Sequence, residues 1–216
     1  DTMESVRKGK GLKPEMEAAM KENGVEQWYI ESCNKIAYMF PKGHAVAYVT
    51  MALRVAWYKV YRPLAYYAAY FSIRSRGFDA RTMARSRVYI RQMLEDYQAM
   101  DSKELSATQK DESVALEMVN EMLARGFRFL PPDLYKSDAS EFLIEDNGLR
   151  VPFSSLGGFG EEAALSIVEA RQDRFLSVED IKRRTKVTSS GIELLKEAGA
   201  MRELSDTNQV DFFSMF

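Results

Sequence analysis

One cysteine and one histidine stand among 216 residues. Cys33 alone closes no disulfide and supports no cysteine-based metal site within the chain, which fits a reducing compartment. Charge interrupts every long apolar run, so no membrane span is expected. No signal-peptide pattern is present either, and the expected location is the cytoplasm. No initiator methionine precedes Asp1, and the chain reads as a piece of a longer polypeptide whose missing parts lie on the N-terminal side. Acid is nearly absent from residues 32–94, where eleven bases, from Lys35 and Lys42 to Arg87 and Arg91, meet Asp79 alone. The whole chain nevertheless carries a formal charge of −2. A block of one sign reads as a surface for phosphates or acidic membranes, or as a basic face that balances an acidic neighbour. Residues 1–100 hold 16 bases and 10 acids, and residues 101–216 hold 14 and 22. Only the first half has the global charge of a nucleic-acid binder, so binding in the second half must use local geometry.

What is present is a helical pattern. At 46% hydrophobic residues the chain can build one large or two small cores. The organising stretch is FPKGHAVAYVTMALRVAWYKVYRP, residues 40–63, with Pro41 as its start and Pro63 as its stop. Val46, Val49, Leu53, Trp57 and Val60 recur at helical spacing and predict one apolar face. His44 and Tyr48 are four residues apart and share a face. Residues 1–13 read as a mobile loop or a phosphate contact, Pro14 to Gly24 as a helix, and residues 25–39 as another. Pro63 starts a helix ending near Gly77, Asp79 caps a long helix to about Met100, and Ser106 or Thr108 starts one that runs to Gly126. Arg81, Arg85, Arg87 and Arg91 form one stripe on the long helix. After Gly126 the character changes. FRFLPPD predicts a short strand, and residues 142–153 predict a hairpin around Asp146-Asn147-Gly148.

Two further sites carry chemistry. Leu156-Gly157-Gly158-Phe159-Gly160, followed by Ala164 and Ile167, predicts a tight turn opening a helix. Backbone N–H groups at such a helix start favour an anion, although a glycine-rich connection without a ligand fits the same letters. It is not a dinucleotide fingerprint, because the preceding strand is poor and the third glycine is missing. The tail Gln209-Val210-Asp211-Phe212-Phe213 places an amide and two adjacent aromatics in an aperiodic segment. Such a peptide can dock in an apolar pocket, or fold back and bury its rings.

These stretches carry a resemblance. GFGEEAALSIVEAR resembles the helix-hairpin-helix motif, which holds DNA backbone phosphates on main-chain N–H groups. A second helix pair follows, SVEDIKRRTKVTSSGIELLKEAG, with a capping box at Ser177 and Asp180. There Lys186 and Thr188 stand where the motif has glycines, and Lys182, Arg183 and Arg184 add charge. YMFPKGHAVAYVTMALRVAWYKVYRPLAYYAAYF, with MESVRKGKGL before it and FLPPDLYKS after it, is similar to the C family of bacterial replicative DNA polymerases, PolC branch. Gly43 departs from the alanine expected there. QVDFF resembles the pentapeptide that binds sliding clamps.

The resemblance implies a mainly α fold: a helical fingers domain, a small β-hairpin and a tandem helix-hairpin-helix domain. The implied divisions are 1–126 (the C-terminal portion of the fingers), 127–204 for duplex binding and 205–216 for a flexible clamp-binding tail. It implies His44 and Tyr48 at the nascent base pair, with Lys42, Arg54, Arg7 and Lys10 near nucleotide or template phosphates. Gly158, Phe159, Gly160, Lys186 and Thr188 would hold the DNA backbone. The implied partners are a primer–template duplex, an incoming dNTP and a sliding clamp, with no membrane and with nucleoid association during replication. No set of close carboxylates on strands is found in the sequence, so the catalytic residues and their Mg2+ are expected in a palm outside this chain. Two rivals remain at this point. One is a non-catalytic helix-hairpin-helix adaptor of repair or recombination. The other is an all-helical module whose basic face meets an acidic protein.

Overall fold

Proline starts and glycine stops divide the first elements. Helix α1 (Thr2–Arg7) is followed by α2 (Pro14–Glu22), which opens on Pro14 and ends before Gly24, where φ is +72°. Then come α3 (Gln27–Lys35) and the 20-residue α4 (Lys42–Tyr61). The computed structural model describes residues 1–37, 42–75, 77–101, 103–202 and 204–207. Pro41 lies outside them. The chain divides into two compact units, residues 1–57 and 58–216, with the division inside α4.

In the first unit, residues 1–13 are not a mobile loop. After α1 the chain turns through Gly9 and Gly11, at φ +69° and +68°, where a side chain would be strained. The Ala37 carbonyl occupies the place a Gly9 Cβ would need. Asn34 ties the bend down: its carbonyl oxygen accepts from the Leu12 N–H at 2.8 Å and its amide donates to Glu17 at 2.6 Å. The apolar face expected on α4 is open to solvent. Val46, Val49, Leu53, Trp57 and Val60 are 49–66% exposed. Tyr48, Met51, Val55, Tyr58 and Tyr61, on other sides of the helix, are exposed as well. A helix apolar all round has no polar back to give to water; it suits a position surrounded by other elements.

The second unit continues with α5 (Pro63–Ile73), α6 (Ala80–Met83), α7 (Arg87–Ala99) and α8 (Ala107–Ala124). The single helix expected from Asp79 to Met100 is broken. Asp79 caps only the four residues of α6, and the Ser86 hydroxyl accepts from the Tyr89 N–H to start α7 afresh. The four arginines therefore do not form one stripe. Ser106 and Gln109 make a reciprocal capping box at α8. The hairpin is as expected: β2 (Leu143–Glu145) pairs antiparallel with β3 (Gly148–Arg150) around Asp146, which has φ 51°. Strand β1 (Arg128–Leu130) adds parallel to β3, giving the order β1-β3-β2. A 3-10 turn at 153–155 leads to α9 (Glu161–Ala170), α10 (Val178–Arg184) and α11 (Ser189–Glu197). Among the described residues there are eleven α-helices and this one small sheet, so the chain is mainly α.

One core runs from Tyr67 and Phe71 on α5, through Leu116 and Val119 on α8 and Leu149 on β3, to Ile167 on α9 and Leu195 on α11. The Phe71 ring packs against Phe78, Phe129 and Phe142 with centroids 5.3–5.6 Å apart. Residues 126 and 127, the expected functional division, fall within this packing. The start of the expected tail is also tied down. Ser205 pairs with Ser177 as a parallel bridge, and the Asp206 carbonyl accepts from the Glu179 N–H at 3.2 Å.

Candidate nucleic-acid interface

The glycine turn is built from its core side outward. Phe159 is 7% exposed and lies beside Phe153, which anchors the turn in the core. Its N–H donates to the Leu156 carbonyl at 2.8 Å, so Phe159 supports the turn and has no donor left for a ligand. Gly158 has φ +88°, a conformation that favours glycine. Gly160 is the N-cap of α9 at φ −73°, and a Cβ there would meet nothing within 4 Å. The backbone conformation thus permits a side chain at Gly160, and its absence leaves the helix start open to a large neighbour. The N–H groups of Gly158 and Gly160 make no hydrogen bond among the described residues. They point the partial positive charge of the turn and helix start outward. Ala164, fully buried, lets α9 sit close on the core.

The first turn of α9 also carries Glu161 and Glu162, which oppose an anion. Lys186 offsets one of them, with its ammonium 3.2 Å from Glu162. Its backbone N–H donates to the Ser166 hydroxyl at 2.9 Å, joining the second hairpin to α9. Thr188 caps α11, its hydroxyl accepting from the Gly191 N–H at 3.2 Å. Arg184 is committed to structure, whereas Arg183 makes one contact and stays 70% exposed. Both contact the buried Asp180 carboxylate, at 2.7 and 3.1 Å, and Arg184 also donates to the Ala170 and Asp173 carbonyls. Burial alone would raise the Asp180 carboxyl. The Leu176 N–H and the two guanidinium groups outweigh it and hold the pKa below its ordinary value.

Gly157 has a role the sequence reading did not give it. Its N–H donates to the Asp79 carboxylate at 3.3 Å, and a Cβ on it would lie 2.4 Å from Asp79 and 2.5 Å from Arg81. Asp79 accepts from the Arg81 backbone N–H at 2.9 Å and pairs with its guanidinium at 2.8 Å. Burial pushes Asp79 up, but the bonds from Arg81 and Gly157 leave it below the ordinary carboxylate value. The one available signal was a third glycine in LGGFG that the turn geometry did not need.

On α4 the rings of His44 and Tyr48 meet edge-on with centroids 4.2 Å apart, and Tyr48 is 64% exposed, so it is not a core residue. Arg54 is exposed on the same helix. Arg7 pairs with Glu4 at 2.9 Å, and Lys10 is exposed in the braced bend. Lys42 is the first residue of α4. Gln209, Val210, Asp211, Phe212 and Phe213 lie outside the described residues. Much of the basic block has local partners: Lys59 with Glu121 at 2.6 Å, Arg87 with Asn120 at 3.1 Å, and Arg91 with Glu95 at 3.8 Å. Among the described residues no group of three His, Cys, Asp or Glu side chains could hold a metal ion. No helix there is long and apolar enough to cross a membrane.

The helix-hairpin-helix motif family matches residues 126–210. DNA polymerase III PolC-type of Thermotoga maritima is 50% identical over 212 residues, covering 98% of this chain and 15% of that protein. The proteins of the same name from Bacillus subtilis and Clostridium perfringens are 49% and 47% identical, again over 98% of this chain and 15% of theirs. The chain thus spans about 15% of the length of the curated relatives it matches. Along nearly all of its residues, the chain is thus similar to a part of the PolC-type DNA polymerase III proteins.

Proposed function

We propose that the chain is the part of a bacterial replicative DNA polymerase that holds the primer–template duplex and the incoming nucleotide and ties the enzyme to its sliding clamp. The observation that carries this reading is the 47–50% identity to PolC-type polymerases over 98% of the chain. The turn at Gly158 and Gly160 supports the duplex contact. Two unpaired N–H groups at a helix start can donate to a phosphate oxygen without reading sequence. The exposed His44–Tyr48 pair supports a stacking role at the nascent base pair, with Arg54, Lys42, Arg7 and Lys10 as phosphate-facing bases. QVDFF supplies the clamp contact as a tether, which raises effective concentration. Synthesis itself uses carboxylates and Mg2+ carried elsewhere in the polymerase, in the cytoplasm; the role of this chain is positional.

The test replaces Gly158 and Gly160 by valine and measures duplex binding by fluorescence anisotropy. Losing two charge-assisted hydrogen bonds should weaken binding at least about tenfold. Unchanged affinity in a variant that still melts cooperatively would remove the glycine turn from the DNA contact.

A further inference from the structure

The Arg81 guanidinium lies against Gly157 of the glycine turn, and the phosphate reading does not use it. It comes from α6, 76 positions before Gly157 in the chain, and nothing in its local sequence marks it out from its neighbours. Asp79 sets its position and is itself held by Gly157. The Asp79 carboxylate takes its Nε–H at 3.2 Å and one Nη2–H at 2.8 Å. The same carboxylate accepts from the Gly157 N–H at 3.3 Å. Gly157 has no Cβ, and one placed there would lie 2.5 Å from Arg81 Nη2. The missing side chain is what lets the guanidinium lie against the turn.

Asp79 uses one edge of the guanidinium. Of five N–H donors in its planar fork, Nη1 keeps two and Nη2 keeps one. The Arg81 side chain is 45% exposed, so this remaining edge is accessible. The next base, Arg85, donates to the Arg81 carbonyl at 2.8 Å and rests on the Tyr89 ring at 4.9 Å, away from Asp79 and Gly157 in its bonding. Beside it opens a cleft of about 560 Å³ lined by Arg81, Arg85, Phe129, Pro131, Leu156 and Glu197. Leu156 is the first residue of the glycine turn, so the cleft and the turn are continuous. A guanidinium pre-oriented by a carboxylate loses little rotamer freedom on binding a phosphate oxygen, and its free edge matches phosphate geometry.

We propose that Arg81, braced by Asp79 against Gly157, is a second phosphate-binding group beside the glycine turn, so that the DNA backbone is held by main-chain N–H groups and one guanidinium together. This rests on the duplex-binding reading above. It adds side-chain donors beside a helix start whose first turn carries Glu161 and Glu162.

The experiment titrates labelled primer–template duplex with the whole 216-residue chain and its variants at several salt concentrations. Arg81→Gln should weaken binding about tenfold and lower the slope of log affinity against log salt by about 0.9, one phosphate contact. Arg81→Lys keeps the charge and should restore the slope while recovering only part of the affinity. Asp79→Asn keeps the guanidinium but loosens its brace, and should weaken binding with the slope unchanged. Arg91→Gln, which removes the same charge from α7, should leave affinity within about twofold. Equal losses in Arg81→Gln and Arg91→Gln would mean a diffuse field and overturn the proposal. So would an Arg81→Gln slope equal to that of the unmodified chain while Gly158→Val with Gly160→Val still abolishes binding; the duplex reading would then survive alone. If the unmodified chain does not bind duplex at low salt, both fail together.

Discussion

At the residue scale, positions of the same type divide by what their neighbours leave free. Gly157, Gly158 and Gly160 are three glycines with three different reasons. The first makes room for Asp79 and Arg81, the second takes a positive φ, and the third keeps a helix start open. Arg183 and Arg184 look as basic in the sequence as Lys182, yet both are bound to Asp180. The reading of Tyr48 belongs at this scale. Its ring is 64% exposed and held edge-on by His44, so its removal leaves no cavity. In the intact polymerase Tyr48→Ala should raise the KM for nucleotide about tenfold or more, the scale of one stacking contact, with duplex affinity within about twofold. Steady-state kinetics beside duplex titration checks it. A loss confined to duplex affinity would move Tyr48 away from the nascent pair.

At the element scale, what could be read from the sequence was local. Pro14, Gly24, the Ser106 box and Asp146-Asn147-Gly148 each act within a few residues, and each stands where the letters put it. Ser86 was also local but was overlooked, because the arginines around it keep helical spacing and hide the restart of α7. The parallel pairing of β1 with β3, and the approach of Asp79 to Gly157, join residues 20 and 78 apart. No local propensity reports such contacts. Helix α4 is the opposite case: its apolar letters predict an apolar face, and that face lies open. Leu53 is 66% exposed, so Leu53→Gln should change the stability of this chain by less than about 0.5 kcal/mol in urea unfolding. A loss above about 2 kcal/mol would show Leu53 to be buried in solution.

At the scale of the whole molecule, the packing units and the proposed functional divisions are different partitions. The core of residues 58–216 crosses positions 126 and 127, with Tyr67 and Phe71 on one side and Phe129, Phe142 and Phe153 on the other. The helix-hairpin-helix elements are thus held on a base that includes α5, α7 and α8. The tail is a separate matter of connection. Ser205 and Asp206 are bonded to the start of α10, so a motif at 209–213 leaves from a fixed point on the helix-hairpin-helix elements. With Phe212→Ala and Phe213→Ala, binding to an immobilised sliding clamp should fall by at least about a hundredfold, the loss of two anchor residues, with duplex affinity unchanged. Clamp affinity kept within twofold would remove QVDFF from that role.

The central claim is that this chain grips duplex DNA through its backbone. The most direct test is the affinity of the unmodified 216-residue chain for labelled primer–template duplexes of unrelated sequence, measured by anisotropy from low to moderate salt. Several phosphate contacts predict binding that is indifferent to sequence and falls with a log–log slope of several units, about 0.9 for each contact. A chain that melts cooperatively yet leaves the duplex unbound at low salt would contradict the account and turn the basic surface towards an acidic protein.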